Sequence, residues 1–230
     1  MQIDGPAGRA PAPRRLWLLG GICLLLGLLL GAYVYQDRIV PGELEFLRLT
    51  HRPPSEALDQ LAWGASRLGD TFTGLTTATV LGALWCFSRG RPELTLFIAA
   101  ASASRLLNTP LKWLFDSSRP PLDLHAIIEP VGGLGYPSGH TFGAVLVYGA
   151  IYLAVPQTLP SPWARWLVRG VCLALMLLIP WSRMRLGVHW PSDVAGGYLF
   201  GVGVLALLWG LTPMVWERIG QRRGFYPTTQ

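Results

Sequence analysis

Long apolar runs without a charged residue constrain the fold of this chain more than any other feature. One run extends from Leu16 to Gln36 and another from Thr141 to Ala164. A helix needs about 20 apolar residues to cross the roughly 30 Å hydrocarbon core of a bilayer. Only 14% of the 230 residues are charged, whereas soluble domains carry about 25%. The runs therefore predict an all-α, polytopic membrane protein built as one domain.

Polar, Pro-rich or Gly-rich connectors divide the apolar sequence into six predicted transmembrane helices. These spans are Leu16–Tyr35, Asp70–Phe87, Glu93–Phe115, a fourth from the stretch Tyr136–Thr141 to Val155, Trp163–Pro180 and Asp193–Trp209. Residues 1–15 are predicted to be disordered, 16–212 to form the membrane domain and 213–230 to form a basic tail. We expect the first span to be retained rather than cleaved as a signal peptide, because no small-x-small pattern follows it.

The connector from Asp37 to Arg67 mixes charged and apolar residues, unlike the spans on either side. Leu44, Phe46 and Leu47 stand among charged neighbours, which predicts a short amphipathic helix on the membrane surface. Pro53-Pro54 would end it, and a second interfacial helix is predicted from Glu56 to Leu68.

Basic residues next to the span ends predict the orientation. Short cytoplasmic segments carry an excess of Lys and Arg, and six spans place both termini on one side. Ten of the nineteen basic residues fall on that side: Arg9, Arg14, Arg15, Arg89, Arg91, Arg165, Arg169, Arg218, Arg222 and Arg223. The termini are therefore predicted to be cytoplasmic, and loops 36–69, 116–137 and 181–192 to face outward. The net charge of +6 lies in these connectors rather than in runs with interleaved aromatics, so no nucleic-acid partner is expected.

Cysteine usage excludes two kinds of site. Cys23, Cys86 and Cys172 all lie inside apolar segments, and none forms a CxxC pair. We interpret them as small buried hydrophobic residues, with no disulfide framework and no thiolate zinc site.

Three polar segments fall at span ends on the predicted outer side. They are Lys112 to Arg119-Pro120, Pro137-Ser138-Gly139-His140, and Ser182-Arg183 through His189 to Asp193. Ionisable residues that gather at one face of a membrane protein indicate a functional site.

The residue types in these segments suit phosphoryl transfer. Lys112, Arg119 and Arg183 supply positive charge, and guanidinium groups bind phosphate oxygens in pairs. Ser138 is a candidate N-cap of the fourth span, whose free N–H groups would attract an anion. Histidine can act as a nucleophile or as an acid near neutral pH. Asp193, four residues after His189, is placed to orient that ring.

Together the three segments resemble the signature of the type 2 phosphatidic acid phosphatase superfamily: Lys-x6-Arg-Pro, Pro-Ser-Gly-His and Ser-Arg-x5-His-x3-Asp. Every defining position is present and in order, and the resemblance covers roughly residues 93–212. It implies that His189 is a nucleophile forming a phosphohistidine, Asp193 orients it, and His140 protonates the leaving oxygen. It further implies that the phosphate is held by Lys112, Arg119, Ser138, Gly139 and Arg183, and that no metal or other cofactor is needed.

The resemblance implies a membrane lipid as substrate and the bacterial inner membrane as location, with the site on the periplasmic or extracellular side. Undecaprenyl pyrophosphate, phosphatidylglycerophosphate and phosphatidic acid are the leading candidates, and the residues do not rank them. The alternatives are a metal hydrolase, a vanadium-dependent haloperoxidase and a transporter or scaffold that kept the fold. The oligomeric state is not predicted.

Residues outside the signature have more open interpretations. Arg185 could contact a second phosphate or a headgroup. Arg105 is expected to be structural, although it could reach the phosphate pocket, and Asp116 is expected to cap a loop. His125 and Glu129 are expected to be solvated loop residues.

Overall fold

A computed structural model describes residues 13–51, 54–124 and 133–222. In these residues the chain forms α1 (Pro13–Val34), α2 (Glu43–Thr50), α3 (Glu56–Leu68), α4 (Thr76–Ser88), α5 (Pro92–Ala103), α6 (Asn108–Phe115), α7 (Gly139–Thr158), α8 (Pro162–Arg185) and α9 (Pro191–Arg222). Short 3₁₀ turns and one π-helical turn complete the helical structure. The described part of the chain is therefore all helical, as the sequence predicts.

Four of the described helices, α1, α7, α8 and α9, are long and apolar enough to cross a membrane. The second and third predicted spans are instead built from shorter pieces. A π-helical turn, Thr71–Leu75, precedes α4, and a 3₁₀ turn, Ser104–Leu107, joins α5 to α6. The total of six spans accordingly stays a prediction.

Local hydrogen bonds explain both irregular turns. The carboxylate of Asp70 accepts from the backbone N–H groups of Phe72 and Thr73 at 2.9 and 3.1 Å, which caps the start of the π-helical turn. Arg105 donates from Nε to the carbonyl of Ser102 at 2.9 Å and from Nη1 to that of Thr71 at 3.3 Å. Arg105 thus ties the two turns together, in keeping with the expected structural role.

Helix α7 is the buried centre of the bundle and packs against α5, α8 and α9. Phe142, Leu146 and Ala150 on this helix are fully buried in the main apolar cluster. Helix α1 packs along α9, where glycines permit close approach. A Cβ on Gly20 would lie 2.7 Å from the Leu207 side chain, and one on Gly203 would lie 2.9 Å from the Leu24 side chain. Such small-residue contacts are typical of helices that associate within lipid.

Both predicted interfacial helices are present as α2 and α3, and they pack against the ends of α8 and α9. Ser55 caps α3 by accepting from the N–H of Leu58 at 3.4 Å. Large apolar side chains on these helices remain exposed, including Leu49, Leu61 and Trp63, which fits a position at the membrane surface.

Two helices extend beyond the predicted spans. Helix α8 continues through Pro180 to Arg185, so the predicted loop at 181–192 is shorter. A proline inside a membrane helix is tolerated where its surroundings satisfy the freed backbone group. Helix α9 begins at Pro191, as the proline at its first position favours, and its backbone extends to Arg222, into the predicted tail. The predicted disorder at 1–15 lies largely outside the described residues, and α1 already begins at Pro13.

Candidate active site

The three polar segments meet at one end of the bundle, where hydrogen bonds join them to one another. Arg119 Nη1 lies 2.9 Å from the carbonyl oxygen of Val188 and 3.1 Å from His189 Nε2, which links the first segment to the third. The backbone N–H of Ser138 donates to the carbonyl of Asp193 at 2.9 Å, which links the second to the third. The predicted convergence is therefore what the structure shows.

His189 and Asp193 form a buried pair, each with a side chain 1% exposed. The ring Nδ1 lies 2.9 Å from Asp193 Oδ2, which also accepts from the N–H of Trp190 at 3.0 Å. A guanidinium can only donate hydrogen bonds. Since Arg119 faces Nε2, that nitrogen is the acceptor, and the ring proton is on Nδ1, where it donates to the carboxylate.

The surroundings of His189 keep its ring neutral. Burial lowers the pKa of His189 well below its ordinary value, and the positive charges of Arg119, Lys112 and Arg183 lower that pKa further. A neutral imidazole with its lone pair on Nε2 is a nucleophile. The arrangement can therefore direct Nε2 at an electrophile that is attracted by the surrounding cations.

Lys112 and Arg119 also hold the loop that precedes α7. Lys112 Nζ donates to the carbonyl of Gly135 at 2.9 Å and to that of Leu134. Arg119 Nε donates to the carbonyl of Gly133 at 3.1 Å. Both cations are thereby fixed beside the His189–Asp193 pair.

The start of α7 supplies polar groups that have no partner in the described chain. Ser138 is the N-cap residue with extended backbone, as predicted, but its side chain does not bond the helix. Its Oγ and the Oγ1 of Thr141 are buried without a partner in residues 13–51, 54–124 and 133–222. Unpaired buried hydroxyls beside free helical N–H groups favour an anion at this position. Gly139 lies close to Asn108, since a Cβ on Gly139 would lie 2.9 Å from the amide nitrogen.

His140 lies in the first turn of α7, where it is half-buried. A Cβ on Gly69 would lie 3.1 Å from His140 Cδ2, so the end of α3 contacts the ring. His140 lies two residues after Ser138, whose backbone N–H donates to the carbonyl of Asp193 at 2.9 Å. The structure thus brings both histidines to the same site.

Arg183 and Arg185 lie on the last turns of α8 but make different contacts. Arg183 is 7% exposed and donates from Nη1 to Ser66 Oγ. Arg185 is 2% exposed and pairs with Asp59 at 2.7 Å, and it also donates to the carbonyls of Thr50 and Ser55. Arg185 therefore anchors α2 and α3, and its predicted headgroup contact stays a prediction.

Three residues that bond to the site lie outside the three motifs, so the motifs do not predict them. Glu43, 6% exposed, accepts from the backbone N–H of Ser192 at the start of α9. Asp37 accepts from the N–H of Ser118 at 2.6 Å. Ser66 is the third. Their partners are 81 to 149 positions away, so local sequence patterns do not reveal them.

Other predicted residues lie apart from these contacts or outside the structure. Asp116 forms the left-handed C-cap of α6, with φ of 40°, which agrees with the expected capping role. His125 and Glu129 lie outside the described residues.

Comparison with known proteins decides the family. The sequence model described as "PAP2 superfamily" matches residues 93–217, which include all three polar segments. The chain belongs to the PAP2 superfamily. The resemblance inferred from the motifs is therefore confirmed.

Relatives of this PAP2 protein are phosphatases from diverse organisms. Phosphatidylglycerophosphatase B of Bacillus subtilis is 29% identical over 157 residues, which cover 66% of this chain and 74% of the relative. Undecaprenyl-diphosphatase of Sulfolobus acidocaldarius is 30% identical over 190 residues, which cover 78% and 84%. The transmembrane PAP2 type phosphatidylglycerolphosphate phosphatase of Bacillus subtilis has a similar crystal structure, with a TM-score of 0.71 and 25% identity. That match covers 87% of this chain and 96% of the other. This chain is thus a multi-pass membrane protein with the fold of a membrane phosphatase.

Proposed function

We propose that this PAP2 protein removes phosphate from a membrane lipid by attack of His189 Nε2 on phosphorus. The observation that carries the proposal is the buried His189–Asp193 pair. It holds the ring proton on Nδ1 and directs Nε2 toward the cationic site. The phosphatase activities of the relatives support the same reaction class.

In the first step, a bond forms between Nε2 and phosphorus while the bond from phosphorus to the leaving oxygen breaks. His140 gives its proton to that oxygen, and the Asp193 carboxylate stabilises the cationic ring of the phosphohistidine. In the second step, a water oxygen bonds to phosphorus while the bond from phosphorus to His189 Nε2 breaks and returns its electron pair to the ring, and His140 takes a proton from the water. The products are the dephosphorylated lipid and inorganic phosphate, and His189 returns to its neutral form.

The proposed phosphate site consists of cations and the start of α7. Lys112, Arg119 and Arg183 neutralise charge on the phosphoryl oxygens, which is the main requirement of phosphoryl transfer. Ser138 and the backbone N–H of Gly139 add donors at the helix N-terminus. Asp193 is the counter-charge within this group, so the site carries the positive excess that an anionic substrate needs.

We propose that the reaction needs no metal ion. Across residues 13–51, 54–124 and 133–222, no three His, Cys, Asp or Glu side chains come together as a metal site would require. The three cations occupy the role that divalent ions take in metal-dependent phosphatases.

The proposed topology has six spans, with α4 and the α5–α6 pair as the second and third. Helix α7 has 20 residues and is therefore about 30 Å long. The site lies at its N-terminus, so its C-terminus lies on the other side of the bilayer. At that opposite end, Arg89 donates to the carbonyl of Thr158 at 3.2 Å, and Arg165 donates to that of Leu159. Basic residues favour the cytoplasm, so we place the site and helices α2 and α3 on the outer face of the inner membrane.

The proposed substrates are undecaprenyl pyrophosphate, phosphatidylglycerophosphate and phosphatidic acid, each with its phosphate at headgroup depth. The deciding experiment is release of inorganic phosphate by the purified protein from each lipid, with His189→Ala as the blank. We expect turnover in the wild type and none in the variant. If a folded His189→Ala variant retained the wild-type rate, the histidine mechanism would be wrong.

A further inference from the structure

A side chain outside the family match contacts the phosphate site. The match begins at residue 93, whereas Ser66 belongs to α3. Ser66 is 8% exposed, and its Oγ accepts a hydrogen bond from Arg183 Nη1 across 117 positions of sequence. None of the three motifs includes this serine, although it bonds directly to one of the motif arginines.

The contact restricts the orientation of the Arg183 guanidinium. An arginine side chain loses considerable rotamer freedom when it binds a ligand, unless other contacts already restrict it. The bond from Nη1 to Ser66 fixes one edge of the planar group, and Nε is buried without a partner in the described chain. The carbonyl of Arg183 accepts from the backbone N–H of Val188, the residue before His189, at 3.1 Å. One edge of the guanidinium is therefore held by α3, while the group acts on the nucleophile's surroundings.

Helix α3 is held firmly enough to serve as this support. Asp59 on the same helix pairs with Arg185 at 2.7 Å, and Ala62 is fully buried against the end of α8. At the end of α3, a Cβ on Gly69 would lie 2.5 Å from Ile179 and 3.1 Å from His140. The helix thus fits between α8 and the first turn of α7, with Ser66 fixed between these contacts.

We propose that Ser66 is a positioning residue that orients the Arg183 guanidinium toward the transferring phosphoryl group. The inference rests on the proposed function, because it assigns Arg183 to the phosphate. Outer helix α3 then completes the site, in addition to lying at the membrane surface. Ser66 itself does not touch the phosphoryl group.

The test compares Ser66→Ala with Ser102→Ala. Ser102 is also 8% exposed and accepts a hydrogen bond from Thr79 at 2.9 Å, but it lies on α5 within the bundle. A hydrogen bond to a charged group contributes about 1.5–3 kcal/mol, so we expect Ser66→Ala to lower kcat/KM about tenfold or more. Ser102→Ala should keep the wild-type value. Ser66→Cys, which has similar size but a weak acceptor, should behave like Ser66→Ala and serves if the alanine variant does not fold.

Orthovanadate binding provides a readout that needs no turnover. Its affinity, measured from the vanadate-dependent rise in unfolding temperature, should fall in Ser66→Ala by about the same factor as kcat/KM. In an Arg183→Ala background, Ser66→Ala should cause no further loss, because the serine acts through the arginine. Vanadate affinity equal to that of Ser102→Ala, or a full additional loss without Arg183, would overturn the inference. A wild type that hydrolyses no lipid would refute the proposed function, while the vanadate comparison would still decide the role of Ser66.

Discussion

Replacing Asp193 with asparagine tests the proposed mechanism at its centre. The substitution keeps the size of a side chain that is 1% exposed, and it keeps an oxygen able to accept from Trp190. It removes the negative charge that lies 2.9 Å from His189 Nδ1. The ring becomes cationic when phosphorus bonds to Nε2. Losing the carboxylate charge therefore destabilises the transition state more than the free enzyme.

The size of the effect follows from the geometry of the pair. Opposite charges about 4 Å apart attract by about 4 kcal/mol at an effective dielectric constant of about 20. A difference of about 1.4 kcal/mol in the barrier changes the rate tenfold. We therefore expect kcat to fall by about 10³-fold in Asp193→Asn.

The assay is the steady-state release of inorganic phosphate from the lipid that the wild type hydrolyses fastest. Asp116→Asn is the matched control, because Asp116 is exposed and asparagine tolerates its left-handed backbone. The control should keep wild-type activity. A folded Asp193→Asn variant that lost less than about tenfold in kcat would refute the reasoning, since the cationic ring would then not depend on the carboxylate.

Three further predictions follow from the same structure. Orthovanadate should inhibit phosphate release and EDTA should not; loss of activity with EDTA that a divalent ion restores would contradict the metal-independent mechanism. Because burial and then the Arg119 guanidinium lower the pKa of His189, Arg119→Gln should raise that pKa. The acid limb of kcat/KM should then move to higher pH than in the wild type on the same lipid, and an unshifted limb would disprove the assignment. Asp59→Ala should lower the unfolding temperature in detergent, with a loss of about 1–3 kcal/mol, but should leave KM unchanged; a raised KM at unchanged stability would instead favour headgroup binding by Arg185.

Much of the fold could be predicted from hydrophobic patterning. The uncharged runs predict α1 and α7 to within a few residues, and the mixed segment predicts α2 and α3. The broken helices were missed, because the turn at Thr71–Leu75 depends on hydrogen bonds that do not alter hydropathy. The end of α8 was missed because Pro180 predicts a stop that membrane helices do not require.

The candidate site also contains some residues that the sequence predicts and some that it does not. The motif residues could be found because their types and spacings are local, and the His189–Asp193 pair lies within five positions. Ser66, Glu43 and the partner of Arg185 could not be found, because each is an ordinary surface-helix residue by sequence. Their importance arises only when α3 and α2 pack on helices that follow more than 110 positions later.

These distant contacts bear on how the chain matures during synthesis. Because translation proceeds from the N-terminus, the acidic and hydroxyl groups of α2 and α3 emerge long before their partners. Ser192 is synthesised 149 residues after Glu43, and Arg185 is synthesised 126 residues after Asp59. The contacts that hold the candidate active site can therefore form only after α9 has been synthesised. A fragment limited to residues 93–217 would keep every motif and lack the scaffold that holds them.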